Sequence, residues 1–188
     1  MLKVYQFPIL YEGENYQFDP LTGSLKESFS NRTDPNISYP KEILAAKGLV
    51  DYPYRLPVHS WRATAPPQGT RNYFVPRTIL ALSRVSFYLA LKYAGIRNEL
   101  FRDSQQAVEH FRSISGLKQD TLCLPRTLFA AKTSREFKKS GVLFIGVLLA
   151  SKEMHAWIVE DGRICDRRDT IWVDYRPVAA IVDSELSQ

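Results

Sequence analysis

The stretch that decides the fold reads Gly141-Val142-Leu143-Phe144-Ile145-Gly146-Val147 and, after a polar break, Met154-His155-Ala156-Trp157-Ile158-Val159-Glu160-Asp161-Gly162-Arg163-Ile164-Cys165-Asp166. β-Branched and aromatic residues dominate both apolar runs, which reads as strands. Asp161-Gly162 is the strongest short hairpin signal. A two-residue turn there pairs Glu160 with Arg163, Val159 with Ile164, Ile158 with Cys165 and Trp157 with Asp166. Side chains alternate between faces, so His155, Trp157 and Asp166 share one face and Cys165 takes the other. Asp166 then lies diagonal to His155, roughly 7–8 Å between backbones, a gap that a carboxylate and an imidazole bridge. Asp169 would pair with Met154 and point away. A turn one residue longer would reverse this parity.

Working outward, the preceding segment is Leu122-Cys123-Leu124-Pro125-Arg126-Thr127-Leu128-Phe129-Ala130-Ala131. Pro125 suits a first helical turn, which places Cys123 at a helix start. Unpaired N–H groups and the positive end of the helix dipole hold a thiolate there. His155 is then the acceptor of the thiol proton and Asp166 the group that orients the imidazole. Taken singly, a lone cysteine is most often a small buried hydrophobe and a strand histidine a packed one. Together with their helix-start and hairpin contexts, the three point to thiol catalysis, in a cysteine peptidase or an acyltransferase. Gln119, just upstream, and the Cys123 N–H are candidate oxyanion donors. Trp157 is a candidate wall of the site, and equally a core residue. Cys165 reads as packing, and His59 and His110 lack partner spacing.

The order Cys123-Leu124-x-Arg126-x-Leu128, the Gly141–Val147 strand and His155-Ala156-Trp157 with a following Asp resembles the lasso-peptide B protein over about residues 120 to 182. That family comprises the transglutaminase-like leader peptidases of lasso-peptide biosynthesis, including the microcin-processing enzymes. The resemblance implies an α+β fold with a transglutaminase-like, papain-like cysteine peptidase core. It implies a Cys-His-Asp peptidase that removes the leader from a ribosomally made precursor. A separate asparagine-synthetase-like cyclase then joins the freed amino terminus to an Asp or Glu side chain. Carried over by position, Cys123 is the nucleophile, His155 the base and Asp166 the orienting acid. No intrinsic cofactor is implied, and any ATP dependence would come through the cyclase. The chain departs from the family at two places: Ile158-Val159-Glu160 stands where Val-Glu is usual, and Arg167 stands where the family aspartate tends to lie.

Two other readings use the same residues. Acyl transfer, as in transglutaminases and arylamine acetyltransferases, needs only an amine in place of water. A leader-binding scaffold for the cyclase would carry the triad idle.

With 188 residues, 45% of them hydrophobic and 12% aromatic, the chain can bury a packed core. Two cysteines in unlike contexts argue against a disulfide scaffold and suit a reducing cytoplasm. Three scattered histidines give no metal spacing. The start, Met1-Leu2-Lys3-Val4-Tyr5, lacks a signal-peptide core. The apolar run Ile79–Leu91 is interrupted by Arg84 and followed by Lys92, so it reads as a core helix with Gly95 as its C-cap rather than a span, compatible at most with peripheral membrane contact. The net charge of +5 is dispersed rather than gathered in a stripe, which disfavours nucleic acid and suits an acidic peptide or protein partner.

Along the chain, residues 1–60 read as a small N-terminal unit, 61–76 as a linker and 77–188 as the catalytic domain. Strands are expected over Lys3–Leu10 and Tyr16–Asp19 around Glu12-Gly13-Glu14-Asn15, with a helix starting near Ser24 and another over Lys41–Lys47. This unit resembles the winged-helix leader-recognition element fused to many B proteins, which adds the peptide to an exposed sheet edge. The Pro-rich segment 51–76, with Tyr52, Tyr54, Arg55, Trp61 and Arg62, reads as a loop on the domain or part of a peptide-binding surface. Helices are expected near 76–94, 103–115 and 123–131, then strands near 142–150, 153–160, 163–168 and 171–175. Helices followed by an antiparallel sheet make an α+β domain.

Overall fold

The structure, a computed structural model, describes residues 2–7, 9–12, 14–27, 45, 73–96, 98–114, 116–117, 120–165 and 174–183. It is an α+β arrangement, as the order of apolar periodicities requires. Strands β1 (Leu2–Gln6), β2 (Ile9–Tyr11), β3 (Glu14–Asp19) and β4 (Ser24–Glu27) come first. Helices α1 (Phe74–Val85), α2 (Phe87–Gly95) and α3 (Ser104–Ser113) follow, and a 3-10 turn (Asp120–Leu122) leads into α4 (Cys123–Thr133) and α5 (Arg135–Ser140). Strands β5 (Val142–Leu148), β6 (Glu153–Glu160), β7 (Arg163–Ile164) and β8 (Arg176–Asp183) close the order.

The hairpin forms in the register its turn dictates. Asp161 and Gly162 both adopt positive φ, 50° and 68°, which matches the twist of the flanking strands. Glu160 pairs with Arg163 and Val159 with Ile164. The Cys165 N–H then donates to the Ile158 carbonyl at 2.7 Å. Strands β6 and β7 end a five-stranded sheet of order β1-β8-β5-β6-β7, with every neighbour antiparallel.

Both faces of this sheet are dry. On one, Leu143, Ile145, Val147, Ala156, Ile158 and Ile181 join the helical core. On the other, Phe144, Trp157, Val159, Ala180 and Val182 make a second cluster. Helix α4 is the hub of the first core: it packs against α1, α2, α3 and β6 and is buried from Pro125 to Thr133. Burying a side chain such as Phe129 is worth about 1.5–3 kcal/mol.

Several expectations need correction. The helix expected over 76–94 is two helices, broken at Ser86, whose backbone is extended and whose side chain accepts from the Leu89 N–H as the N-cap of α2. A serine hydroxyl offers the backbone this alternative to helix continuation. Gly95 is the last residue of α2, and Ile96 is the C-cap. No helix starts at Ser24; that residue opens β4, after a turn in which Asp19 accepts from the Leu21 N–H at 2.8 Å and Gly23 takes φ 72°. The expected strand Lys3–Leu10 divides into β1 and β2, and β1 pairs with β8 in the larger sheet rather than staying with the N-terminal unit. Strands β2, β3 and β4 form a separate three-stranded sheet. Phe18 joins it to α2, meeting Phe87 edge to face at 5.4 Å.

Asp174 and Tyr175 are not strand; the last strand is β8, which lies between β1 and β5. Its register slips where Gly146 faces Pro177 and Ile145 faces Ala179, because proline gives the ladder no N–H. The helix expected at Lys41–Lys47 is described only at Ala45, which is helical. The expected strand residues beyond Cys165 up to 173, and the Pro-rich segment up to 72, lie outside the described residues.

Candidate active site

Cys123 is the first residue of α4. Leu122 before it offers no side-chain cap, so the amides of the first turn are not claimed from that position. The thiol is partly exposed. His155, near the start of β6, is buried, with only 4% of its surface exposed. The two side chains are hydrogen-bonded, and the Ala156 N–H donates to the same sulfur.

The strand explains how both groups reach one atom. Because Cys165 bonds to Ile158, the even-numbered amides of β6 point away from β5, toward the β7 side. β7 pairs only as far as Ile164, so the Ala156 N–H emerges at an open edge, where the start of α4 abuts it. His155 then reaches round from the other face.

Burial by itself would push the Cys123 thiol up. The His155 hydrogen bond and charge, the Ala156 N–H and the charge of Arg126 outweigh it and hold the thiol below its ordinary value. Arg126 lies one helical turn beyond Cys123 and is buried. The result is a thiol inclined to ionise beside an imidazole able to carry its proton, the minimal pair for nucleophilic acyl chemistry.

The imidazole is held by rings. Trp157 stacks beside it at 6.3 Å with 14° between planes, and Tyr175 lies 5.2 Å away. Tyr175 is itself tied, donating its hydroxyl to Glu153 at 3.0 Å. Trp157 is fully buried and also stacks on Phe144 at 5.8 Å, so it backs the imidazole from within the core. Gly146, paired with His155 across the sheet, makes this possible: a Cβ there would lie 2.6 Å from the Trp157 ring. At the far end of β6, the buried Glu160 carboxylate accepts from the Ser104 N–H at 3.0 Å and from the Ser104 and Ser134 hydroxyls. That network fixes β6 to the starts of α3 and α5.

Of the residues expected from sequence, Cys123 meets His155, which stacks beside Trp157, and Cys165 packs in the helical core, on the sheet face away from Trp157 and in the same core that Cys123 borders. Asp166 and Gln119 lie outside the described residues. Sequence reading gave no role to Arg126, Tyr175, Gly146 or the Ala156 amide. Arg126 was open to discovery through its three-residue spacing from Cys123, whereas Tyr175 and Gly146 depend on sheet pairing. Among the described residues no cluster of His, Cys, Asp and Glu could hold a metal ion, and no helix is long and apolar enough to cross a membrane.

A groove of about 530 Å³ is lined by Tyr16, Leu25, Lys26, Lys152 and Met154 among others, and neither Cys123 nor His155 is part of its lining. Met154 immediately precedes His155, and the opposite wall is β4, the edge strand of the smaller sheet. Compared with known proteins, the chain matches no family model, no curated protein and no solved structure.

Proposed function

We propose that this protein is a cysteine peptidase that removes the leader from a ribosomally made lasso-peptide precursor, before a separate asparagine-synthetase-like cyclase closes the macrolactam. The observation that carries the catalytic part is the Cys123–His155 hydrogen bond at the open edge of β6, with the thiol held below its ordinary value. The substrate class rests on the resemblance of the Cys-Leu-x-Arg-x-Leu, Ile-Gly-Val and His-Ala-Trp elements to the B proteins. A nucleophile at a helix start, packed on an antiparallel sheet that carries the base, suits a transglutaminase-like core.

The chemistry follows from the pair. His155 takes the Cys123 proton, and the thiolate attacks the scissile carbonyl carbon. As the C–N bond breaks, the imidazolium gives its proton to the leaving amine, and the leader stays as a thioester on Cys123. Water, deprotonated by His155, then attacks the thioester and releases the leader carboxylate and the free thiol. Asp166 is the orienting acid, as the resemblance to the B proteins implies. The Cys123 N–H and Gln119 are the oxyanion donors. The groove between β4 and Met154 is the path for the peptide. Its β4 wall and the three-stranded antiparallel sheet are in keeping with a leader-recognition unit, which adds a peptide to an exposed edge.

The test is mass spectrometry of the cognate precursor incubated with wild-type protein and with Cys123→Ala, with and without the cyclase. Cleavage at the leader boundary by the wild type alone supports the proposal. Equal cleavage by both removes Cys123 from the mechanism. Maturation unchanged in the variant favours the scaffold reading, and leader transfer to an added amine favours acyl transfer.

A further inference from the structure

The sheet has a second feature that the proposed reaction does not use, at the edge remote from His155. Strand β1 is the terminal strand there, and among the described residues no strand lies beyond it. The Phe7 N–H donates to the Val178 carbonyl at 2.8 Å. The register pairs Tyr5 with Ala180 and Lys3 with Val182. By the alternation of an antiparallel ladder, the odd residues therefore bond to β8, and the backbone groups of Leu2, Val4 and Gln6 point off the sheet. Leu2 is closed off by the end of α2, since a Cβ on Gly95 would lie 3.5 Å from the Leu2 nitrogen. At Gln6 the side chain accepts a hydrogen bond from the Gln17 side chain, which ties this end of β1 to β3. Between them, the Val4 N–H and C=O face outward.

Beside Val4 lies an apolar groove of about 570 Å³, bounded by Leu2, Val4, the Pro20-Leu21 turn and α2. Leu21 and Ile96 rim it at 63% and 68% exposure. Lys92, poised over the Tyr88 ring at 4.7 Å, is the single charged residue of the lining. Lys3, exposed on β1, lies on the face opposite Leu2 and Val4.

We infer that this groove is a docking site for a short extended peptide segment with alternating apolar and acidic side chains, added to β1 at Val4. Apolar side chains on one face of the segment fill the groove against Leu91 and Ile96. Acidic side chains on the other meet Lys3, and a flanking one meets Lys92. β1 stands three strand spacings from β6, about 14 Å, so the segment docks apart from Cys123.

The test uses the full chain and two labelled eight-residue peptides, one alternating glutamate and valine, the other lysine and valine, with binding read by fluorescence anisotropy at low salt. The glutamate peptide is expected to bind and the lysine peptide to bind at least about ten-fold more weakly. Val4→Pro removes an outward N–H, which an edge strand tolerates, and exchanges one groove-lining side chain, and is expected to weaken the glutamate peptide about ten-fold with an unchanged circular dichroism spectrum. Lys3→Glu combined with Lys92→Glu is expected to invert the preference between the peptides, which keeps the inference testable should Val4→Pro disturb folding. Failure of the glutamate peptide to bind, as when the chain's own residues fill the groove, overturns the inference. So does equal binding of the two peptides, or an unaltered preference in the doubly charge-reversed protein.

Discussion

Gly146→Ala is the most informative single-methyl change in this chain. The added Cβ would sit 2.6 and 2.7 Å from two carbons of the Trp157 ring and 2.9 Å from the Arg176 carbonyl oxygen. Carbon atoms in contact prefer about 3.5–4.0 Å, so roughly an ångström must be found. The backbone oxygen belongs to β8 and cannot swing away. Trp157 is wholly buried between Phe144 and His155, and its ring cannot retreat without displacing one of them. Overpacking costs about 1–3 kcal/mol, and with a backbone oxygen among the clashing atoms the cost here lies in the upper part of that range, about 2–3 kcal/mol. The restricted unfolded chain of alanine returns about 0.4–1 kcal/mol of that. At roughly 2–4 °C per kcal/mol for a chain of this size, the expected fall in Tm is about 2–10 °C. Thermal and urea denaturation followed by circular dichroism measure it. Because the displaced ring stacks on His155, the reactivity of Cys123 toward iodoacetamide should also fall. A variant as stable and as reactive as the wild type would refute the packing argument, and with it the placement of Trp157 behind the imidazole.

Other consequences follow from the same contacts. In a pH series of iodoacetamide alkylation, Cys123 should react with an inflection below that of an ordinary free thiol; His155→Ala should move that inflection upward, because burial persists once its main opposing partner is gone. An unchanged profile would show that His155 does not act on the thiol. Glu160 is raised above its ordinary 4.5, by burial first, against the lowering Ser104 hydrogen bonds. A raised carboxyl binds its proton more tightly in the folded state, so its stabilising effect is complete below the unfolded value and is lost as pH rises through the folded one. Urea midpoints of the wild type should therefore carry a decline above pH 4.5 that Glu160→Gln diminishes; parallel pH profiles for the two proteins would contradict it.

How much of this was open to sequence reading depends on the range of the interaction concerned. Asp161-Gly162 announces its hairpin because the turn's dihedrals are local, and the parity it sets puts His155 beside Trp157 and Cys165 in the other core. The start of α4 at Cys123 is likewise local, marked by Pro125 in the first turn. Ser86 was less legible, since an apolar run on both sides hides a capping serine inside an apparently continuous helix. Strand β8 carries Pro177 and two alanines, poor strand formers that are held in place by β1 and β5 on either side. The β1–β8 pairing joins residues from opposite ends of the chain, and no window of sequence contains both. The same holds for Tyr175 and Gly146, whose places beside the imidazole exist only once the sheet is assembled.

The central claim is that Cys123 forms the covalent bond to the leader and His155 moves the proton. Its most direct test is acid-quenched turnover of the precursor, with the protein digested and the Cys123 peptide examined by mass spectrometry. The expected result is the leader's acyl group on Cys123 during turnover, and none on the Cys165 peptide. Released leader with the Cys123 peptide unmodified at every time point, and cleavage undiminished in Cys123→Ala, would contradict it.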